Sequence, residues 1–494
     1  MRYICVDIGT TTIKGIIYDE LGRLVDEISQ KSKLYTPNSF KREQNPDEIL
    51  WDVRNVLREL VSKVHQSRHK VEAIALSCYM HSLVLLDGDG APLTGIMLWN
   101  DLRAASVSEV YKENGIGLDI YKKTGTPIHP MSPFYKLLYY KEMERDIFER
   151  AKKFVGIKEI ITKWMCGEYY VDYSVASSTG MFDICDLKWN RDALNILGVD
   201  ESYFSTPVDS TFILPNLNES FLKDIGLDSD VKIVIGASDG CLANLGSHGL
   251  DHGVGVVTIG TSGAYRVVTD KPVLDTEART FSYILTKGYY VSGGAINNGA
   301  IAYDFILNNL KYDEHLDKIF KKLNPEDYGK GILFLPFLSG ERAPYWDADL
   351  RSAFLGLNQT HTRKDILFST IKGICYALRD VMGVIDDVID SKISSVYVNG
   401  GFVRSEIWLQ TLCNILNKPV LVSDNGDGVL FGAFLISLLA TGKISSLKEA
   451  EKYFVVGREF LAKNTTLYDE EFSIYRKAIS ANRDILHDLS RLAD

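Results

Sequence analysis

The same short pattern occurs twice, about half a chain apart. Residues 3–19, YICVDIGTTTIKGIIYD, run from one β-rich stretch through a Gly-Thr-Thr-Thr turn into a second. Residues 254–268, VGVVTIGTSGAYRVV, do the same around Gly260-Thr261-Ser262-Gly263. The Ile-Gly-Thr triplets at 8–10 and 259–261 lie 251 residues apart in a chain of 494. Each segment predicts a β-hairpin closed by a small, hydroxyl-rich turn. Two halves that each open with such a hairpin predict a duplicated domain, its two turns facing each other across a cleft. Two hairpins matched by chance are the alternative, and the half-length offset argues against them. The spacing puts a boundary near residue 247, dividing the chain into 1–247 and 248–494. A single hydrophobic core stops growing at roughly 250–300 residues, so the length asks for two domains as well.

Between the hairpins, strand-like and helical patterns alternate. Val71–Ser77, Lys232–Gly236, Gly331–Leu335 and Ser395–Asn399 read as strands. A helix is predicted to start at Asn45-Pro46-Asp47-Glu48, where Asn can cap, Pro suits the first turn and two acids favour the positive end. Helical spacing covers Lys364–Asp387 and Gly432–Ala440, and the last forty or so residues predict a helix packed on the second half. Alternation of this kind implies an α/β fold.

Composition narrows the function classes. The net charge is −10, and the tight basic clusters, Lys152-Lys153 and Lys321-Lys322, are short and isolated, which leaves nothing for a nucleic-acid backbone to lie on. The longest nearly apolar run, Val429–Ala440, is too short to span a bilayer and predicts a buried helix. The start, Met1-Arg2-Tyr3-Ile4-Cys5-Val6-Asp7, lacks a secretory h-region. Seven cysteines are scattered without a C-x-x-C pair, which predicts buried free thiols in a reducing cytoplasm. No Cys/His cluster suggests a metal.

Backbone N–H groups and hydroxyls that converge on anionic oxygens bind phosphate, and Gly/Thr/Ser turns supply both. One such turn commonly does no more than close a hairpin. A matched pair, Gly9-Thr10-Thr11-Thr12 and Gly260-Thr261-Ser262-Gly263, suggests a nucleotide polyphosphate. A P-loop is missing, because Ile444 follows Gly442-Lys443 and Ser437 stands at the first glycine's place. The dinucleotide fingerprint is missing too, because Gly253-Val254-Gly255 has Thr258 where a third glycine belongs.

Asp7, ending an apolar strand, needs a cation or hydrogen bonds; beside a phosphate turn the natural partner is Mg²⁺, and a turn-capping role is the alternative. Asp239, in Gly236-Ala237-Ser238-Asp239-Gly240, follows a strand at the place where open α/β sheets bind ligands. It could serve as the base for an attacking hydroxyl, or as an ordinary Asx-turn. Met80-His81 could line a polyol pocket, or His81 could be a satisfied core residue. Trp99-Asn100-Asp101-Leu102-Arg103 suits a hydroxylated, anionic substrate, or carries a surface ion pair. Asn399-Gly400-Gly401-Phe402 ends a strand and leads to a helix bearing Ser405 and Trp408; the glycine pair could admit a flat ring such as adenine, or form a tight turn.

These residues together resemble the FGGY carbohydrate kinase family. The resemblance rests on VDIGTTTIK (6–14), MH (80–81), GASDG (236–240), TIGTSGA (258–264), LSGERAPYWD (338–347) and NGGFVRSEIWLQ (399–410), in the family's order and over nearly the whole chain. It implies two duplicated actin-like, ribonuclease-H-like ATPase domains with ATP and sugar in a central cleft. Within the family the chain is most similar to the gluconokinases, through EQNPDEI (43–49), TGTPIHPMSP (124–133), Ser238-Asp239-Gly240 and GGAINNGA (293–300).

By position, the resemblance makes Asp239 the catalytic base and Asp7 the Mg²⁺-side carboxylate. It assigns Thr10, Thr11, Thr12, Lys14, Gly260, Thr261 and Ser262 to the phosphates, and Asn298, Gly299, Gly400, Gly401 and Ser405 to the adenosine end. Met80, His81, Asn100, Asp101 and Arg103 would bind the substrate, with Arg103 or Lys136 meeting a sugar-acid carboxylate. The implied reaction is ATP-dependent phosphorylation of D-gluconate in the cytoplasm. Xylulose or another polyol is the alternative substrate, and a non-catalytic sensor the alternative class. No membrane or nucleic-acid partner is implied, and a homodimer is left open. The chain departs from the family's signatures at two positions: Tyr139 stands where Trp is usual, and Lys372 where an acid or Gln is usual.

Overall fold

A computed structural model describes residues 1–311, 318 and 329–493, so the Lys321-Lys322 pair lies outside the described residues. The chain forms two compact units. The first holds Met1–Gly246, Thr269–Val291 and Asn425–Phe454; the second holds Ser247–Val268, Ser292–Asp424 and Val455–Asp494.

In the first unit, β1 (Arg2–Ile8) and β2 (Thr12–Tyr18) form the expected antiparallel hairpin, with Asp7 opposite Lys14. With β3 (Leu24–Lys31), β4 (Val71–Cys78) and β5 (Lys232–Ser238) they make a five-stranded sheet ordered β5-β4-β1-β2-β3. β4 runs parallel to both β1 and β5. Ile4, Val6, Ile74, Leu76, Ile233 and Ile235 from these three strands share one buried cluster. Helix α1 (Pro46–Gln66) closes that face. Asn45 Oδ1 caps it by accepting the N–H of Asp47 at 2.9 Å and of Glu48 at 3.2 Å. Ile49, Val53, Val56, Leu60 and Val64 then recur every three or four residues along its buried stripe. Four further helices position the site: α2 (Pro133–Met143), α3 (Ile157–Cys166), α4 (Tyr173–Ser177) and α5 (Asp239–Gly246).

The second unit repeats the plan. β6 (Val254–Ile259) and β7 (Gly263–Thr269) form the second antiparallel hairpin. Its other strands are β8 (Tyr289–Ile296), whose last residues belong to this unit, β9 (Ser395–Asn399), β10 (Val420–Ser423) and β11 (Val456–Phe460). Their order is β8-β7-β6-β9-β10-β11, with β9 parallel to both β6 and β10. The run β10-β9-β6-β7-β8 matches β5-β4-β1-β2-β3, and the seven-stranded sheet adds β11 outside β10 and the strand Phe281–Thr286 outside β8. The repeated hairpin therefore marks a repeated sheet. Helices α6 (Ala300–Asn309), α7 (Arg363–Val388) and α8 (Glu406–Leu416) complete the elements that position this unit's site.

A single cut at residue 247 does not describe the units, because two later segments return to the first. The second of these carries α9 (Gly428–Ala440), whose residues Leu430 to Leu438 are all buried, as its uniformly apolar sequence requires. Its Phe434 ring lies 5.4 Å from that of Tyr3 and 5.1 Å from that of Tyr18, against the first hairpin. The last helix, α10 (Thr465–Ala493), belongs to the second unit. It is anchored there by Lys372 to Glu471 at 2.8 Å, and by Arg483 and His487 to Asp347 at 3.0 and 2.9 Å. The Lys372 departure is thus one half of a helix anchor. All cysteines except Cys185 are buried, and all seven are free thiols.

Candidate active site

The last residues of β5 are re-aimed by a bulge. Its register against β4 shifts between Val234 and Ala237, and Gly236 sits at φ +68°. A Cβ at Gly236 would overlap the Leu76 carbonyl, so only glycine permits this approach. The bend delivers Asp239 as the first residue of α5, where the positive helix end favours a carboxylate. Asp239 Oδ1 accepts the N–H of Gly240 at 2.6 Å.

Asp7 lies in the same electrostatic neighbourhood. Burial pushes its carboxyl up to about 7; Asp239 and Asp427 push the same way, while a hydrogen bond from Ser77 and the charge of Lys14 oppose them. Ser77 Oγ donates to Asp7 Oδ1 at 2.6 Å. Lys14, opposite Asp7 on the hairpin, pairs with Asp427 at 3.2 Å and Glu27 at 3.1 Å. Asp427 also caps α9, accepting the N–H of Val429 at 3.1 Å and of Leu430 at 3.2 Å. Among the described residues no group of three or more His, Cys, Asp or Glu side chains forms a metal cage. Magnesium asks for less than a cage, since it takes one or two carboxylates and completes its shell with phosphate oxygens and water. The acid excess around Asp7 fits that requirement.

The turn beside Asp7 is tied down from behind. Gly9 N–H donates to the Thr12 carbonyl at 3.1 Å, Gln44 Nε2 donates to the Thr10 carbonyl at 2.8 Å, and Tyr79 OH donates to Gln44 Oε1 at 2.8 Å. Sequence reading missed Gln44, Ser77 and Asp427. Gln44 lies inside the EQNPDEI segment of the resemblance and Asp427 just before an apolar run; Ser77 carried no signal.

Met80 and His81 follow β4, with His81 at φ +66°. Its Nδ1 lies 2.8 Å from the Ser178 carbonyl. A carbonyl can only accept, so Nδ1 carries the hydrogen. Lys136 of α2 donates to the carbonyls of His81 at 2.8 Å and Leu98 at 2.7 Å. Burial lowers its amine to about 7, with Asp101 opposing the shift and Arg103 adding to it. Arg103 Nε and Nη2 hold the fully buried Asp101 at 2.7 and 2.8 Å, while Nη1 holds Tyr140 OH at 2.6 Å and Nη2 also meets Glu43. The Asp101–Arg103 pair is therefore internal, and neither Arg103 nor Lys136 stands open to a carboxylate. Asn100, next to Asp101 in the chain, keeps a buried Oδ1 without a hydrogen-bond partner. Tyr139 OH donates to Glu144 at 2.9 Å, so that departure is local packing.

In the second unit, Gly260, Thr261 and Ser262 form the β6–β7 turn, with Gly260 N–H donating to the Ser262 carbonyl at 2.9 Å. The start of α6 grips this turn: Gly299 N–H donates to the Thr261 carbonyl at 3.1 Å and Ala300 N–H to the Gly260 carbonyl at 2.8 Å. Asn298 is fully buried and donates to the Gly340 carbonyl at 2.8 Å. Thr258 of β6 pairs with Asn399 of β9, which brings Gly400 to the same end of the sheet. Gly400 sits at φ +106°, and a Cβ there would overlap the Ile259 carbonyl. Gly401 opens the short 3₁₀ turn that follows, and Ser405 caps α8 by accepting the Trp408 N–H at 3.4 Å. Seven of the second unit's eight assigned residues thus cluster at one sheet end, while Ser405 lies a turn further on as a helix cap. The segment 338–347 adds a support that sequence reading left without a role. Arg342 Nε donates to Asn297 Oδ1 at 2.7 Å, and Glu341, pushed up to about 7 by burial, accepts the N–H groups of Asn297 and Arg342.

Comparison with known proteins identifies the family and the fold. Residues 2–246 match the N-terminal domain of the FGGY family of carbohydrate kinases, and residues 255–441 match its C-terminal domain. A gluconokinase of Bacillus subtilis (strain 168) is 37% identical over 454 residues, covering 89% of this chain and 88% of the relative. The crystal structure of a gluconate kinase from Lactobacillus acidophilus superposes with a TM-score of 0.92 at 30% identity, covering 98% of each chain. A ligand-bound xylulose kinase from the same organism gives 0.93 at 31%, again over 98% of each chain. The repeated actin-like sheet and the match to both family domains lead to one conclusion: the chain belongs to the FGGY family of carbohydrate kinases, phosphotransferases that act on alcohol groups.

Proposed function

We propose that this protein is an ATP-dependent gluconokinase, converting D-gluconate and ATP to 6-phosphogluconate and ADP. The observation that carries the reaction is Asp239, held at a helix start by a bulged strand and sharing an electrostatic neighbourhood with Asp7. Asp239 takes the proton of the substrate's terminal hydroxyl as that oxygen bonds to the γ-phosphorus and the bridging bond to the β-phosphate breaks. Thr10, Thr11 and Thr12 of the first unit, and Gly260, Thr261 and Ser262 of the second, supply N–H and hydroxyl groups for the phosphates, with Lys14, paired to Asp427 and Glu27, supporting the first turn. Asn298, Gly299, Gly400, Gly401 and Ser405 serve the adenosine end. Asp7 would hold Mg²⁺, which neutralises phosphate charge when bound.

Met80, His81 and Asn100 line the sugar-acid site. Asp101, Arg103 and Lys136 act beneath them as supports, because their polar atoms are already engaged within the protein. The buried free thiols support a reducing, cytoplasmic setting. Among the described residues no helix is long and apolar enough to cross a membrane.

The gluconate assignment is supported by the 37% identity to the Bacillus subtilis enzyme. A second reading, a neutral ketose such as xylulose, is favoured by the equally good superposition on the xylulose kinase. ADP release from ATP and Mg²⁺ with gluconate, xylulose, ribulose, glycerol and no sugar separates the two. Turnover with gluconate alone is expected; saturation by a neutral ketose would overturn the substrate and keep the kinase.

A further inference from the structure

β5 is an edge strand. Its inner side pairs with β4, and among the described residues no other strand of the sheet pairs with its outer side. Further back along that edge, Ile235 and Gly236 donate their N–H groups to the carbonyls of Phe212 and Ser210 at 3.0 and 3.1 Å. At Ala237 and Ser238, the two residues before Asp239, side chains take over. Lys158 Nζ of α3 donates to the Ala237 carbonyl at 3.2 Å. Ser174 Oγ of α4 accepts the Ser238 N–H at 3.1 Å and lies 2.8 Å from Ser238 Oγ. Asp172 joins the two contacts: one oxygen meets Lys158 Nζ at 2.6 Å, and the other caps α4 at the Val175 N–H at 2.9 Å. Lys158, Asp172, Ser174 and Ser238 are all fully buried.

We propose that Lys158, Asp172 and Ser174 are positioning residues that fix the direction of the Asp239 carboxylate. The proposal rests on Asp239 being the base. A buried ion pair is a poor stabiliser, since removing two charges from water costs about as much as their attraction returns. An apolar pair of similar volume would fill the same space without that cost. What an apolar pair cannot do is hold a main-chain carbonyl and cap a neighbouring helix together. Edge-strand main chain buried without partners would be free to shift by fractions of an ångström. At a proton-transfer site, a misplacement of about 1 Å costs on the order of 10²-fold in rate.

The test is a double-mutant cycle with Asp239→Asn. Lys158→Met combined with Asp172→Asn removes both charges together and keeps an acceptor for the α4 cap, so no unpaired ion is left inside. Ser174→Ala is the milder companion should that protein fail to fold. Each is expected to lower kcat by roughly ten- to a hundredfold, with KM for gluconate and for ATP changed less than about threefold. In the Asp239→Asn background the same changes are expected to cost nothing further, since there is no longer a base to aim. Rescue by Ser174→Thr, which restores the hydroxyl, is expected as well. Equal fold-losses in both backgrounds, or wild-type kcat in the charge-free variant, would overturn the proposal while leaving Asp239 as the base. Wild-type turnover in Asp239→Asn alone would overturn both.

Discussion

Lys14 stands directly opposite Asp7 on the first hairpin, yet its ammonium pairs with Asp427 at 3.2 Å. Opposite residues of an antiparallel pair share a face, so the cation was available to Asp7 and is committed elsewhere. Asp7 is left with Ser77 and an excess of acid around it. Under the proposed function, that leaves Asp7 for a cation that arrives with the substrate. Asp7→Asn is expected to raise the Mg²⁺ concentration for half-maximal activity by roughly 10–100-fold, the usual effect of weakening a metal's ligand set. Titrating Mg²⁺ at saturating ATP and sugar reads this directly, and an unchanged titration curve would contradict it.

Gly236 carries the bulge that aims β5 at the site. Gly236→Ala forces a side chain into a left-handed backbone position and against the Leu76 carbonyl. The change should destabilise the protein by more than about 1–2 kcal/mol, the cost of the left-handed conformation alone for an L-residue. Denaturant unfolding measures it, and a neutral substitution would mean that the strand can take another path.

Arg103→Ala would strand a fully buried carboxylate, Asp101, without its bidentate partner. Breaking a buried pair in this way costs about 3–5 kcal/mol. The expected signature is therefore lost stability, read by denaturant unfolding. A stable variant whose only defect is a raised KM for gluconate would instead return Arg103 to direct substrate contact.

Lys136 gives a pH dependence with a definite sign. Its folded-state value of about 7 lies below the ordinary amine value of about 10.4, so the unfolded chain binds more protons between those limits. Its contribution to stability is full above about pH 10 and falls as pH drops toward 7. The neutral amine still has two N–H groups for its two carbonyls, which is why deprotonation leaves the contacts intact. The difference in unfolding free energy between wild type and Lys136→Met should grow from pH 7 to pH 9 by up to about 1.4 kcal/mol per unit. A pH-independent difference would contradict it.

Much of this was legible in the sequence because it is local. The two hairpins, the Asn45 cap and the strand ending in Asp239 each follow from residues within a few positions of one another. The supports were not legible, because they come from far along the chain. Nothing near Lys158 says that its ammonium meets a carbonyl 79 residues later. Nothing near Arg103 distinguishes an internal pair with Asp101 from a surface one. The apolar run of α9 predicts a buried helix, and it is buried, but its apolar surface carries no record of which sheet it covers, and the structure gives it to the first unit.

Asp239→Asn tests the central claim most directly. The substitution keeps size and hydrogen bonding while removing the proton acceptor. Gluconate-dependent ADP release should fall by about 10²–10⁴-fold, while ATP binding measured by calorimetry on the same protein stays within a few-fold of wild type. Wild-type turnover in that variant would contradict the account.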